Sequence, residues 1–273
     1  MDLHSAHVAI VGGSKGVGAA LAHELAHRGS RVTVLARDSN ELYKVAADVG
    51  GRALPVDLTD LDSLEGLVDR IEDAGGPIDI LVSNAATITP GPLAEMTAEA
   101  LRAGVMTNFV SHLEINRQLA ARLVERGRGT LAIVGSVSAE VSMIHLGTYA
   151  PAKAGLVKFA VDLQRELRPS GVRVPVFILG SVPDTQLSVK GVDDPVIAFI
   201  DKATATVGVL TPQKVARRIA DVLASDRRSA VYAIPRLSAP LVQFRLLPLR
   251  LVDPLLVRPA LKEAARTRLS RSR

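Results

Sequence analysis

Residues 149–153 read Tyr-Ala-Pro-Ala-Lys, which sets a phenol and an ammonium four positions apart. On a helix that spacing brings the two side chains to one face. A free phenol has a pKa of about 10, too high for ready proton exchange near neutrality, and a neighbouring cation favours the phenolate and lowers it. Such a tyrosine can protonate a carbonyl oxygen as hydride arrives at the carbon, or recover the proton in the reverse direction. Tyr-x-x-x-Lys arises by chance on many helices. Ser136, thirteen residues before Tyr149 and at the end of an apolar run, makes the pattern more selective.

A second constellation lies at the start of the chain. The run Gly12-Gly13-Ser14-Lys15-Gly16-Val17-Gly18 follows a short apolar stretch and opens an amphipathic segment. Glycines there allow positive φ and close approach of backbone N–H groups to a pyrophosphate, and the helix N-terminus adds partial positive charge. The next apolar run ends Leu35-Ala36-Arg37. An NAD site usually carries an acid at that point, accepting from the ribose 2′-hydroxyl, whereas a 2′-phosphate needs cations. With Ala36 in place of the acid, Arg37 after it and Lys15 in the glycine loop, the pattern predicts NADP(H). Asp57, with Leu58 beside it, stands where it can accept from an adenine amino group. Asn84-Ala85-Ala86 supplies small residues where backbone passes close to adenosine.

The elements needed to hold these groups are legible as alternation. Strands are predicted over 6–11, 31–36, 52–56, 79–83, 130–135, 172–179 and 229–234. Helices are predicted over 16–28, 40–49, 61–74, 97–108, 109–126, 149–167 and 212–225. Thr211 offers an N-cap to the last of these and Pro212 an N1 proline, while Pro151 falls in the first turn of its helix, where a missing N–H costs little. Strands apolar on both faces require helices on both sides, so the fold class is α/β, a Rossmann-type doubly wound parallel sheet of seven strands in a single domain. Ligands of such sheets bind beyond the carboxyl ends of the strands, where both constellations fall.

The chain has 273 residues, enough for one well-buried α/β domain. Cysteine is absent. That excludes disulfides, cysteine-ligated clusters and cysteine nucleophiles, and fits a reducing cytoplasmic compartment. No metal site is expected. The start shows no secretory pattern, and no apolar run approaches the ~20 residues of a membrane-spanning helix. The net charge of +5 is uneven: residues 236–273 carry nine Lys/Arg against Asp253 and Glu263, while the rest has 24 basic and 26 acidic groups. The basic balance therefore belongs to a tail, which argues against nucleic acid as a partner of the domain. We read 1–235 as the catalytic domain, with a lid at about 180–210, and 236–273 as a Leu/Pro-rich extension. Packing, in a subunit interface or over the substrate mouth, is favoured for that extension over peripheral contact with an anionic membrane surface.

Taken in order, these residues identify a resemblance. The chain is similar to the short-chain dehydrogenase/reductase family in its branch of roughly 250 residues, over about residues 6–235 and most closely its NADP-preferring members. The matches are Gly12–Gly18, Asp57, Asn84-Ala85-Ala86, Asn108, Ser136, Tyr149, Lys153 and Gly180-Ser181-Val182. The resemblance implies that Tyr149 exchanges the proton and that Lys153 holds the nicotinamide ribose and depresses the tyrosine pKa. It implies that Ser136 hydrogen-bonds the substrate oxygen, Asn108 anchors a relay water and the Val182 backbone binds the carboxamide. The substrate is then a small carbonyl or alcohol compound, read as lipophilic from Val189, Val192, Val196, Ile197, Phe199 and Ile200, which line a pocket or pack as a helix on the core. The assembly implied is a homodimer or homotetramer joined through 109–126 and 149–167. Three positions depart from the family pattern: Ala86 replaces its glycine, Leu179 its proline, and Asp184 its carboxamide-holding threonine, with Thr185 one place late. The competing reading is a non-catalytic NADP-binding sensor or scaffold, which usually loses the tyrosine or lysine retained here. An epimerase or dehydratase needs a larger substrate domain than follows Leu179. His145, four before Tyr149, reads as a loop residue without a role in preference to a substrate contact.

Overall fold

Residues 2–140, 143–183, 194–204, 210–225 and 230–235, with the isolated positions 259 and 262, are described by a computed structural model. The basic extension therefore lies outside the described residues apart from those two positions, as do Asp184, Thr185, Val189 and Val192.

The first half of the sheet is built from β1 (His7–Val11), β2 (Arg31–Ala36), β3 (Arg52–Pro55) and β4 (Ile80–Ser83). The second half is β5 (Gly129–Ser136), β6 (Val172–Arg173), β7 (Val176–Leu179) and β8 (Val231–Ile234). Among the described residues every ladder is parallel, in the order β3-β2-β1-β4-β5-β7-β8, with the short β6 pairing β5. The predicted single strand over 172–179 is thus two pieces. They are separated by Val174-Pro175, where proline removes a ladder donor. β1, β4 and β7 are buried along their whole length, as their apolar sequences demand, with His7 of β1 and Ser83 of β4 the polar exceptions.

One face of the sheet is covered by α1 (Gly16–His27), α2 (Asn40–Asp48) and the helix Pro212–Ala224 near the chain's end. Leu21, Leu25, Leu42, Val215 and Ile219 meet Val8, Ile10 and Val34 there. The other face is covered by α3 (Leu67–Gly75), α5 (Ser111–Arg126) and α6 (Tyr149–Glu166), through Ile71, Ile115, Leu119, Leu156 and Ala160 against Ala9, Leu81 and Ile133. Two further helices are described: α4 (Ala98–Val105), and α7 (Pro195–Thr204), which precedes the Pro212–Ala224 helix, now α8.

Two helices differ from their sequence prediction for local reasons. The run over 61–74 breaks at Gly66, whose φ of +61° is left-handed, leaving a short turn at Asp62–Leu64 and then α3. The two helices expected over 97–126 form one continuous helical run, α4 to α5, interrupted by a π-turn at Met106–Val110 that contains Asn108. Ser39, Thr97 and Thr211 cap α2, α4 and α8 by accepting from Leu42, Ala100 and Lys214 N–H groups.

The chain winds from β1 to β3 on one side and from β4 to β8 on the other. The switch of direction between β1 and β4 opens the crevice where a ligand sits in such a sheet.

Candidate active site

At the cofactor end, the loop after β1 meets the loop after β4. Asn84 Nδ2 donates to the Gly12 carbonyl at 2.8 Å, and the Ala85 N–H donates to Val11 O at 2.8 Å. Only glycine fits at position 12: its φ is +82°, and an added Cβ would lie 2.5 Å from Ala85 Cα. At position 18 a Cβ would lie 2.0 Å from the Gly12 carbonyl oxygen, so that glycine sets how closely α1 approaches the strand end.

Lys15, the N-cap of α1, makes no side-chain capping bond, and the first turn contains no acid. The opening N–H groups of a twelve-residue helix thus face the carboxyl edge uncapped. These residues, Gly12, Ser14, Gly16, Val17 and Gly18 among them, fit a dinucleotide pyrophosphate.

Arg37 is exposed at the end of β2, close enough to Asp57 that its charge favours the carboxylate. Hydrogen bonds from the Thr59 N–H and hydroxyl, 2.9 and 2.8 Å, are the larger cause of the lowered Asp57 pKa. Leu58 is buried in the core. Lys15 Nζ pairs with Glu41 Oε1 at 2.7 Å in the first turn of α2. Acidic residues are common in a first turn, so sequence offered no reason to couple Glu41 to the glycine loop.

The catalytic end lies at the tip of β5. Ser136 stands close enough to the Tyr149 hydroxyl to favour its phenolate. Ser136 Oγ also accepts from Ser138 N–H at 3.2 Å and Ser138 Oγ at 3.0 Å. With those acceptor directions occupied, the Ser136 proton is left to donate on the side where Tyr149 stands. Ser138 was missed from sequence; the Ser-x-Ser spacing at a strand end is its only signal.

Lys153 is 1% exposed, its Nζ donates to the Val134 carbonyl at 2.9 Å, and it lies 6.0 Å from the centroid of the Tyr149 ring. Burial of the ammonium brings its pKa down to about 8. The expected lowering of the Tyr149 pKa is corrected here. Burial raises it, and Ser136 only partly opposes that rise. The physical reason is that burial strips water from the phenolate and so disfavours the charged form.

Asn108 is fully buried in the π-turn. Its Oδ1 accepts from Thr87 N–H at 2.8 Å and its Nδ2 donates to Thr87 O at 2.9 Å. Both side-chain functions thus hold the loop that continues from Asn84-Ala85-Ala86.

Four residues further on, His112 Nε2 donates to Ala85 O at 2.8 Å, which makes Nδ1 the acceptor nitrogen. Burial first, and then the Lys153 charge, hold that imidazole neutral with a pKa of about 3. Asn116 Nδ2 donates to Ser83 Oγ at 2.8 Å. Neither His112 nor Asn116 was singled out from sequence, because polar residues on a helix give no sign that they face inward. Val182 is part-buried against the core, after the end of β7.

The segment expected to recognise substrate contains α7. Val196 and Ile197 are buried, and Val196 packs with Phe199, Met143 and Ile144. The side chain of Ile200 lies outside the described residues.

Comparison with known proteins places this geometry. The profile of the family described as short chain dehydrogenase matches residues 6–195. The chain is 29% identical over 217 residues to ketoacyl reductase HetN of Nostoc sp., covering 78% of this chain and 73% of that protein. It is 32% identical over 235 residues to 1-deoxy-11-beta-hydroxypentalenate dehydrogenase of Streptomyces exfoliatus, covering 83% and 82%. In fold it is similar to a 3-oxoacyl-[acyl-carrier protein] reductase from Brucella melitensis solved with bound NAD. That match has a TM-score of 0.72 and 24% identity, and covers 85% of this chain and 90% of that one.

Proposed function

The chain belongs to the short-chain dehydrogenase family, and from that premise we propose that it is an NADP(H)-dependent oxidoreductase moving a hydride between nicotinamide and a carbonyl or secondary alcohol. The observation that carries this reading is the convergence of the hydrogen-bonded hydroxyls of Ser138 and Ser136, the buried Tyr149 and the buried Lys153 ammonium at the end of β5. When bound, the nicotinamide supplies the hydride.

The protein's own part is the proton and the orientation. Tyr149 gives its phenolic proton to the carbonyl oxygen, and Ser136, held by Ser138, donates a hydrogen bond to the same oxygen as charge develops there. The phenol, its pKa raised by burial, is protonated at neutrality, the form a general acid needs. Lys153 provides the nearby positive charge that eases formation of the phenolate. Asn108 holds the Thr87 peptide and with it the loop beside the adenosine, leaving the backbone of the π-turn to hold a relay water. The Val182 backbone takes the carboxamide.

NADP preference is supported by Arg37 and Lys15, at the end of β2 and the start of α1, and by the absence of an acid at Ala36. A lipophilic substrate is supported by the apolar cluster of Val196, Phe199, Met143 and Ile144, and by relatives whose names specify ketoacyl and pentalenate compounds. The unit assigned to this chemistry is 1–235. The assembly we propose is a homodimer or homotetramer through α5 and α6, with 236–273 packed against it. Among the described residues no helix is long and apolar enough to cross a membrane.

The test is a panel of ketones and alcohols of graded chain length and ring size, followed by NADPH absorbance, with Tyr149→Phe as control. Removing the general acid should lower turnover by about a thousandfold, while NADPH binding, read by fluorescence, stays within about threefold. Retained turnover in Tyr149→Phe would refute the assigned role.

A further inference from the structure

His145 and Asp194 belong to no part of the mechanism above, yet they join three pieces of the site. His145 Nδ1 lies 2.8 Å from Asp194 Oδ2 and 3.1 Å from Oδ1, with both side chains largely buried. A carboxylate only accepts, so Nδ1 carries the proton and donates. Asp194 is at the same time the N-cap of α7: its Oδ1 accepts from Val196 N–H at 2.9 Å and Ile197 N–H at 3.2 Å.

On the other side, the His145 carbonyl accepts from Gly91 N–H at 3.1 Å, in the loop after β4. The next residue, Leu146, accepts from the Tyr149 N–H at 3.0 Å. His145 also has a φ of +64°, a left-handed conformation shared among described non-glycine residues only with Ser5. A histidine persists there when its surroundings over-determine it, and bonds from both its ring and its carbonyl do so. The tie is set in apolar surroundings, since Met143, Ile144 and Phe199 pack on Val196. Little water competes there for the Asp194 oxygens.

We propose that His145 and Asp194 are a substrate-positioning pair: through one hydrogen bond they fix α7 against the loop that carries Tyr149, and so set the fit of the substrate's apolar part. The inference rests on the oxidoreductase reading for its kinetic consequence, but not for its structural one. Neither residue touches the reacting atoms. Both act through the placement of α7.

The test separates the tie from the backbone it sits on. His145→Gly keeps the left-handed φ without strain and removes the donor. His145→Asn tolerates the same φ and restores an N–H donor at similar reach. Asp194→Ser retains an N-cap oxygen for α7 but is too short to reach position 145.

With the longest ketone the wild type accepts, His145→Gly and Asp194→Ser should each raise the substrate KM about tenfold, the worth of one hydrogen bond to a charged group. The KM for NADPH should stay within about twofold. His145→Asn should return the substrate KM to within about threefold of wild type. The double variant His145→Gly/Asp194→Ser should be no worse than either single one.

Amide exchange over 195–204, measured without substrate, should quicken by about tenfold in His145→Gly and Asp194→Ser and recover in His145→Asn. Unchanged exchange in His145→Gly, or strictly multiplicative KM effects in the double variant, would overturn the pairing. If wild type turns over nothing in the ketone panel, the oxidoreductase reading fails while the exchange measurement still decides the tie.

Discussion

Lys153→Met should make the protein more stable while removing its activity, and the structure fixes both the size and the pH dependence of the gain. Lys153 is 1% exposed, and its folded pKa is about 8 against 10.5 for a free lysine. Because the folded value is lowered, the unfolded chain binds the extra proton between those two pH values, so stability rises with pH across that window. Below pH 8 the full cost of the buried ammonium is present, about 3 kcal/mol from the width of the window. Methionine has similar length and no charge to desolvate. It leaves the Val134 carbonyl without its partner, which returns about 1–2 kcal/mol of the gain. The net expectation at pH 7 is stabilisation by about 1–2 kcal/mol, or about 5 °C in Tm.

The assay is urea unfolding of wild type and Lys153→Met without added nucleotide, at several pH values from 7 to 10.5. The gap between the two should narrow as pH rises from 8, because wild type sheds its penalty and the variant has none to shed. A variant less stable than wild type at pH 7, or a gap that does not change between pH 8 and 10.5, would refute the account of Lys153 as a buried cation held at a cost to the fold. Turnover of the variant on any accepted ketone should fall by at least about a hundredfold.

The remaining predictions concern the cofactor end and the acid limb of stability. Arg37→Asp should move the ratio of kcat/KM with NADPH to that with NADH toward NADH by about a hundredfold, from loss of a phosphate partner and gain of a like charge. An unchanged ratio removes the phosphate assignment. Glu41→Gln should tighten NADPH about two- to fivefold in a fluorescence titration by releasing Lys15 from its exposed pair, with no effect on NADH. Glu72 is buried enough to raise its pKa, but hydrogen bonds from Arg126, the Ile78 N–H and Arg122 overcome that and bring it down to about 2. Since that value is depressed from 4.5, its contribution is complete above pH 4.5 and is lost as pH falls toward 2. Solvent screening around the exposed ends of this network reduces the value, so Glu72→Gln should cost about 1–2 kcal/mol at pH 7 in urea unfolding, and the cost should shrink on acidification through that range.

Much of this protein was legible before any coordinates. Strand and helix periodicity, the glycine run after the first strand, and the spacing of Tyr149 and Lys153 are local patterns, each written in a few consecutive residues. Such patterns survive because hydrogen-bonding period, positive φ and helix spacing are properties of short stretches of chain. The direction of the Tyr149 pKa was not legible: it depends on how much protein surrounds the ring. The partners found late were Glu41 for Lys15, Ser138 for Ser136, Thr87 for Asn108 and Asp194 for His145. Ser138 lies two residues from its partner, yet only the strand-end geometry shows that it occupies the acceptor side of Ser136. The other three are separated by 26, 21 and 49 residues and meet only because the parallel sheet gathers its loops on one edge. The residue types able to do chemistry were settled by the linear chain. Which of them are desolvated, which are spoken for and by whom was decided when the fold closed, since burial and long-range contact exist only there.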